Sequence, residues 1–337
     1  MGLFQHPGSG PRSPRKGRHV LGYVVRRLTQ LVPVVLLASI VVFGLMRLIP
    51  GDPALVIAGE DASPERIQEI RLRLRLDRPL PVQYLTWLAS VLRGDLGESI
   101  VSGQPVARIL AQKVTATAEL AVGALLVAVI VGIPLGVAAA LRRGTALDLA
   151  VTAYTSTVLG IPNFWLGLLL IILFVVALNW LPPGGRVALT EDPGTAWRYL
   201  LMPVLTLSVR ASGIFIRFTR TSMLEVLPED YVRTARAKGL PEGVVVMRHA
   251  LRCALIPVVT VVGLEFGRLL AGAVIAEQIF AWPGVGRLII QAVGQRDFAI
   301  VQGVLLLLVV VFVLVNLITD LLYGVLDPRI RLASGGK

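Results

Sequence analysis

Ionisable residues are rare in the apolar runs of this chain, which makes the three that fall there the first candidates for chemistry. Arg210 interrupts one such run, and Glu265 and Arg268 interrupt another. A charge held at membrane depth faces a bundle interior or a water-filled path, so all three are candidates for a translocation pathway. The competing reading is structural, because Glu265 and Arg268 sit three apart and can neutralise each other on one helix. Arg210 is the stronger pathway candidate. Covalent chemistry has no such footing. A nucleotide hydrolase needs a phosphate-cradling G-x-x-x-x-G-K-S/T loop, and the chain has none. H-E-x-x-H and G-x-S-x-G are equally missing. The lone Cys253 cannot close an internal disulfide, and His6, His19 and His249 are too scattered to share a metal. No catalytic residue, metal site or cofactor held by this chain is expected.

The longest polar interruption of the second half runs from Pro228 to Pro257 and has a different use. Pro228 suits a first helical position, where its missing N–H costs nothing. Glu229 and Asp230 follow in the turn where negative charge meets the positive helix end. Tyr231, Ala235 and Lys238 fall on one face at i, i+4, i+7 spacing. Gly239 supplies a left-handed stop and Pro241 prevents continuation. The spacing predicts a helix of about three turns. Its small residues Thr234, Ala235 and Ala237 would let another protein's backbone come close, as a docking peg requires.

Composition says what must hold these groups. The chain is 55% hydrophobic and 16% charged, against roughly 45–50% and a quarter in soluble domains. Its mean hydropathy is +0.75. An all-α integral membrane protein follows, with the lipid bilayer as its surroundings. The net charge of +12 would suggest nucleic acid in a soluble chain. Here the basic residues flank apolar spans, as the positive-inside rule requires, and no nucleic-acid partner is expected.

Six transmembrane helices are read from the apolar runs. The first is Leu28–Met46, behind Arg26 and Arg27 and retained rather than cleaved. Leu120–Leu141 is the second, stopped by Arg142 and Arg143. Leu149–Gly185 carries no charge and is read as one long helix broken near Ile161-Pro162-Asn163. Splitting it into a hairpin would invert everything downstream and spoil the Lys/Arg bias. Tyr199–Ile216, Ala254–Ala276 and Phe298–Thr319 complete the set. Both termini and the 217–252 segment, with seven basic and four acidic residues, then lie on the cytoplasmic side. Within the polar insertion between the first two spans, Ser63-Pro64-Glu65 is a helix start. Tyr84, Trp87 and Leu88 there suit an amphipathic helix at a membrane interface. Gly132-Ile133-Pro134-Leu135-Gly136 lies mid-membrane, where kinking or close packing accounts for its glycines.

Read in order, several segments resemble the membrane subunits of dipeptide/oligopeptide-type ABC importers. They are Ile49-Pro50-Gly51-Asp52-Pro53, Gly94-Asp95-Leu96-Gly97, Gly132 to Val137, Arg220 to Leu227, Glu229 to Leu240, His249-Ala250-Leu251-Arg252, Ile279 to Arg287 and Asp320 to Arg331. The resemblance spans nearly the whole chain after residue 20. It implies a type I ABC importer permease fold, divided into a cytoplasmic disordered tail (1–22), a first transmembrane helix (23–49), an extracytoplasmic loop with short helices (50–113), a transmembrane core (114–326) and a cytoplasmic tail (327–337). It makes 228–257 the EAA-type coupling loop of that core, with Asp230, Tyr231, Arg233, Thr234, Ala235, Lys238 and Gly239 as ATPase-coupling residues. The family pattern is Glu-Ala-Ala, three residues, then Gly; Arg233, Thr234, Ala235 and Gly239 stand there, so the second Ala and the Gly match.

The implied partners are a second homologous permease, two ATP-binding subunits that hold ATP and Mg, and an extracytoplasmic substrate-binding protein, in a bacterial inner membrane. Di- or oligopeptides are the implied cargo, with glutathione or nickel as alternatives. A proton-coupled secondary transporter would need membrane acids, and Glu265 is the clear one. A membrane-embedded enzyme lacks its catalytic constellation.

Overall fold

Long uncharged runs have one economical conformation in lipid, since only a helix satisfies its own backbone there. The computed structural model describes residues 16–48, 54–55, 62–73 and 76–326, and no strand longer than an isolated bridge occurs among them. Its helices are α1 (Lys16–Leu48), α2 (Pro64–Arg73), α3 (Leu80–Leu92), α4 (Val106–Leu141), α5 (Ala146–Gly160) and α6 (Asn163–Ala177). There follow α7 (Pro193–Val226), α8 (Asp230–Ala237), α9 (Glu242–Ile279), α10 (Val285–Gly294) and α11 (Phe298–Leu326). Among the described residues four helices are long and apolar enough to cross a membrane, and there are five when the bent pair α5–α6 is counted as one span. Thr29–Leu45, the apolar part of α1, is shorter; at about 1.5 Å per residue its length approaches a hydrocarbon core of about 30 Å. The arrangement is consistent with six crossings.

The helices overrun the apolar runs that predict them. α1 starts at Lys16, inside the segment expected to be a disordered tail. α4 takes in residues 106–113, expected in the extracytoplasmic loop. α9 starts at Glu242, so the expected 228–257 loop is in fact a short helix, a turn and the root of a membrane helix. Hydropathy marks where lipid ends, not where helical hydrogen bonding ends. The break near Ile161-Pro162-Asn163 is present and sharp: α5 and α6 meet at 99°. Pro162 cannot donate into a helix and biases Ile161 to extended backbone, and Ile161 has φ −82°, ψ 124°. α6 closes in a π-helical turn, Ile172–Ala177, short of the expected stop at Pro182.

α7 is the hub, packed against α4, α5, α6 and α9. Gly132 and Gly136 let α4 come close to α7. A Cβ on Gly132 would lie 2.7 Å from the Phe215 Cβ, and one on Gly136 2.7 Å from the Thr219 Cβ and 2.8 Å from the Ile216 carbonyl. Close packing, rather than a kink for its own sake, is the use of that G-x-x-x-G spacing. The main core gathers Leu120, Met202, Leu207, Phe215, Phe280 and Trp282 between α4, α7 and the end of α9. At the periphery, Phe43 of α1 stacks with Tyr84 and Trp87 of α3 at 5.6 Å in each case, and the Ser39 and Tyr84 hydroxyls are bonded at 2.8 Å. Thus the helix expected around Tyr84, Trp87 and Leu88 forms, and its two aromatics are spent on α1.

Candidate functional site

The peg forms, but shorter and rotated relative to expectation. α8 begins at Asp230 with Glu229 as its N-cap, so Pro228 stands outside the helix. Gly239 has φ +75° and its N–H bonds the Arg236 carbonyl at 2.9 Å, the left-handed stop its identity predicts. Arg236 then reaches across the turn to Glu242 with a bidentate contact, Nη2 to Oε1 at 2.7 Å. That carboxylate raises the Arg236 guanidinium above its ordinary value.

Inward, α8 uses Val232 (0% exposed) and Ala235 (5%), which pack on Met223, Val245, Val246 and Ala250. Ala235 is therefore an anchor, not part of an open docking face as its smallness suggested. The spacing rule chose Tyr231, Ala235 and Lys238 as one face; the buried stripe is instead i, i+3 from Val232. Outward stand Asp230, Arg233, Thr234 and Lys238, with Asp230 and Arg233 joined at 3.5 Å while both remain largely exposed. Tyr231 is half-exposed. Partial burial, then the Cys253 thiol beside it, pushes its phenol up, so it stays a neutral hydroxyl.

The three intramembrane charges come together. Arg210 of α7, Glu265 and Arg268 of α9 and Asn163 at the start of α6 line one small cavity. Glu265 is buried and ion-paired with Arg268, whose side chain is nonetheless 71% exposed. Arg210 Nη1 donates to the Leu159 carbonyl at 3.2 Å, next to the α5–α6 break. Asn163 was missed as a site residue, although the Pro162 break that places it was visible in the sequence.

Two further polar groups escaped notice because they lie at the ends of apolar runs. Asp148 takes a bidentate contact from Arg220 at 2.7 and 2.9 Å, tying the start of α5 to α7 near α8. Glu277, fully buried at the far end of α9, accepts from the Thr117 hydroxyl at 2.6 Å and the Arg287 N–H at 2.9 Å. Neither arrangement is a catalytic set. Among the described residues no group of His, Cys, Asp or Glu is placed to hold a metal ion.

Known proteins share this architecture. The family model described as binding-protein-dependent transport system inner membrane component matches residues 132–332, and the N-terminal model of such membrane components matches 20–121. A Brucella abortus chain named as a peptide transport system permease protein is 43% identical over 308 residues, spanning 91% of this chain and 98% of its own. The glutathione transport system permease protein GsiC of Salmonella typhimurium is 42% identical over 312 residues, spanning 93% and 99%. A chain of the inward-facing MetNI methionine ABC transporter shares the fold at TM-score 0.54 and 21% identity, covering 65% of this chain and 96% of that one. With its all-helical core, sharp α5–α6 break and short helix between α7 and α9, the chain belongs to the binding-protein-dependent transport system inner membrane components, as an ABC importer permease whose ATP hydrolysis resides on separate subunits.

Proposed function

We propose that this permease imports di- or oligopeptides handed over by a binding protein. A second, homologous permease completes the pathway, and two ATPase subunits hold ATP and Mg, one of them gripping α8. The carrying observation is the 43% identity to a relative named for peptide transport, spread over 91% of the chain. The 42% match to glutathione permeases favours one second reading, a γ-linked tripeptide as cargo. In this reading both termini and α8 face the cytoplasm of a bacterial inner membrane, supported by the seven Lys and Arg of the 217–252 segment. The exposed row of Asp230, Arg233, Thr234 and Lys238 meets the ATPase groove. Val232 and Ala235 transmit its movement to α7 and α9, as a rigid element with two positions must. Reconstitution with the binding protein and ATPases should give ATP-dependent accumulation of labelled dipeptide. Accumulation of glutathione alone would select the second reading. Uptake that survives ATP depletion and collapses with a protonophore would defeat both.

The stop at Gly239 supplies a sharper test of the peg. Nothing lies within 4 Å of a Cβ there, so any penalty comes from φ +75° alone. A β-branched residue in the left-handed region costs roughly 1–2 kcal/mol. Gly239→Val should therefore fray the end of α8, lowering uptake about tenfold and weakening ATPase copurification, at roughly the conversion of 1.4 kcal/mol per decade. Gly239→Asn, which tolerates that conformation, should stay close to wild type. Unchanged uptake and copurification in Gly239→Val would remove α8 from the coupling role.

A further inference from the structure

The cavity between α6, α7 and α9 has a charge it does not use. Its lining holds two guanidiniums and one carboxylate, leaving one positive charge uncompensated. Both arginines sit deep in their helices, Arg268 eleven residues from the end of α9, which is about 16 Å at 1.5 Å per residue. A guanidinium at that depth requires water or an anion rather than lipid. Arg268 donates to Glu265 yet keeps most of its side chain open. Glu265 is 4% exposed, so it neutralises the root of the site without covering its mouth. Arg210 spends one donor on the Leu159 carbonyl, an acceptor freed because the α5 ladder stops before Pro162. A guanidinium has five donors, and the others remain for a ligand.

Asn163 opens α6 in the same lining. The backbone around it is a broken membrane helix, and half-helix N-termini in transporters favour anionic substrate groups. The cavity measures about 50 Å³, room for a carboxylate or a few waters but not a peptide. Two forked donors, an amide and a helix start around a carboxylate-sized space form an anion subsite.

We infer that Arg210 and Arg268, with Asn163 at the head of α6, bind the α-carboxylate of a peptide in transit. The inference rests on the peptide reading above and adds the point at which the cargo is held inside the membrane. The carboxylate docks as the binding protein releases it, and rearrangement of α6 against α9 on ATP binding loosens the site.

The test uses the reconstituted importer with its ATPases and binding protein, following dipeptide uptake and binding-protein-stimulated ATP hydrolysis in parallel. In a Cys253→Ser background, Arg268→Gln and Arg268→Cys should lower uptake at least about tenfold while stimulated hydrolysis continues. Arg268→Lys should recover part of the loss. Labelling Arg268→Cys with an aminoethyl methanethiosulfonate should restore uptake, and the sulfonatoethyl reagent should not. Equal rescue by both reagents, no loss in Arg268→Gln, or failure of the thiol in Arg268→Cys to label from water would each overturn the subsite. Uptake and hydrolysis falling together would overturn it too, assigning the guanidinium to a carboxylate of the second permease. No peptide uptake by the wild-type importer is a separate outcome, which removes the peptide reading itself.

Discussion

Gly136→Leu should leave almost no folded importer to recover from membranes. A first added carbon would already stand 2.7 Å from the Thr219 Cβ and 2.8 Å from the Ile216 carbonyl, distances that side-chain rotation cannot relieve. α4 and α7 must then separate along the contact that forms the centre of the bundle. In lipid no hydrophobic force recovers what is lost, because helices associate through packing and hydrogen bonds. Overpacking typically costs about 1–3 kcal/mol for small insertions, and an isobutyl group against backbone exceeds that range. Gly136→Ala should fall inside it, lowering the melting temperature of the detergent-purified complex while preserving assembly. Gly160→Ala, where nothing lies within 4 Å, is the control and should behave as wild type. Size-exclusion of a fluorescent fusion reads all three. A monodisperse, full-yield Gly136→Leu peak would mean that α4 and α7 do not meet as described.

That result depends on a signal the sequence displays openly. Two glycines four apart in an uncharged run specify close helix contact, and the contact is there. The stop at Gly239 was equally open, since a glycine followed by proline two residues on fits one backbone shape, and φ is +75°. The break at Ile161-Pro162-Asn163 followed from proline chemistry alone. What was misread is orientation around a helix axis. Val232 and Tyr231 are neighbours, and only the shape of the pocket left by Met223, Val246 and Ala250 decides which turns inward. Ala235 lies between Tyr231 and Val232 on the side away from Asp230, Arg233 and Arg236, so its choice as an exposed contact failed by weighing its size above that apolar face.

The intramembrane charges show the same boundary. Arg210, Glu265 and Arg268 announced themselves individually by being costly in lipid. Their assembly around one cavity depends on the register of α7 against α9, set by contacts such as Leu207 beside Gly272. Periodicity does not give that register. Asp148 and Glu277 were harder still. Each stands at the end of an apolar run, where a charge reads as a solvated terminus. Both are instead buried, Asp148 with 5% and Glu277 with no exposure. Their partners Arg220 and Thr117 are 72 and 160 residues away in the chain.

Glu277→Ala should be the most damaging single change at that far end of the bundle. The carboxylate bridges two elements: the Thr117 hydroxyl of α4 and the Arg287 N–H of α10 both donate to it. The same Thr117 oxygen accepts the Val285 N–H at 2.8 Å, so one side chain leads to the next. Beside it the Trp282 indole donates to the Ala116 carbonyl at 2.8 Å, and Arg186, bidentate to Glu119 at 2.7 Å for each bond, lies 6.0 Å from the Trp282 ring centroid. Removing the carboxylate strands a buried hydroxyl and a partly buried amide and opens a cavity in one step. Stranded buried donors cost about 1–3 kcal/mol each, and the volume left by the truncated side chain adds a cavity cost. Glu277→Gln keeps the shape and one acceptor oxygen, so it should lose no more than about a third of that, on the scale of a single neutral hydrogen bond. Thermal unfolding of the purified complex should order the variants wild type, Gln, Ala. Hydrolysis stimulated by the binding protein should fall in the same order, because the loop from Phe280 to Val285 is held in place by these bonds. An Ala variant as stable as the Gln variant would show that packing of Trp282, with no exposed surface of its own, holds this end without the carboxylate.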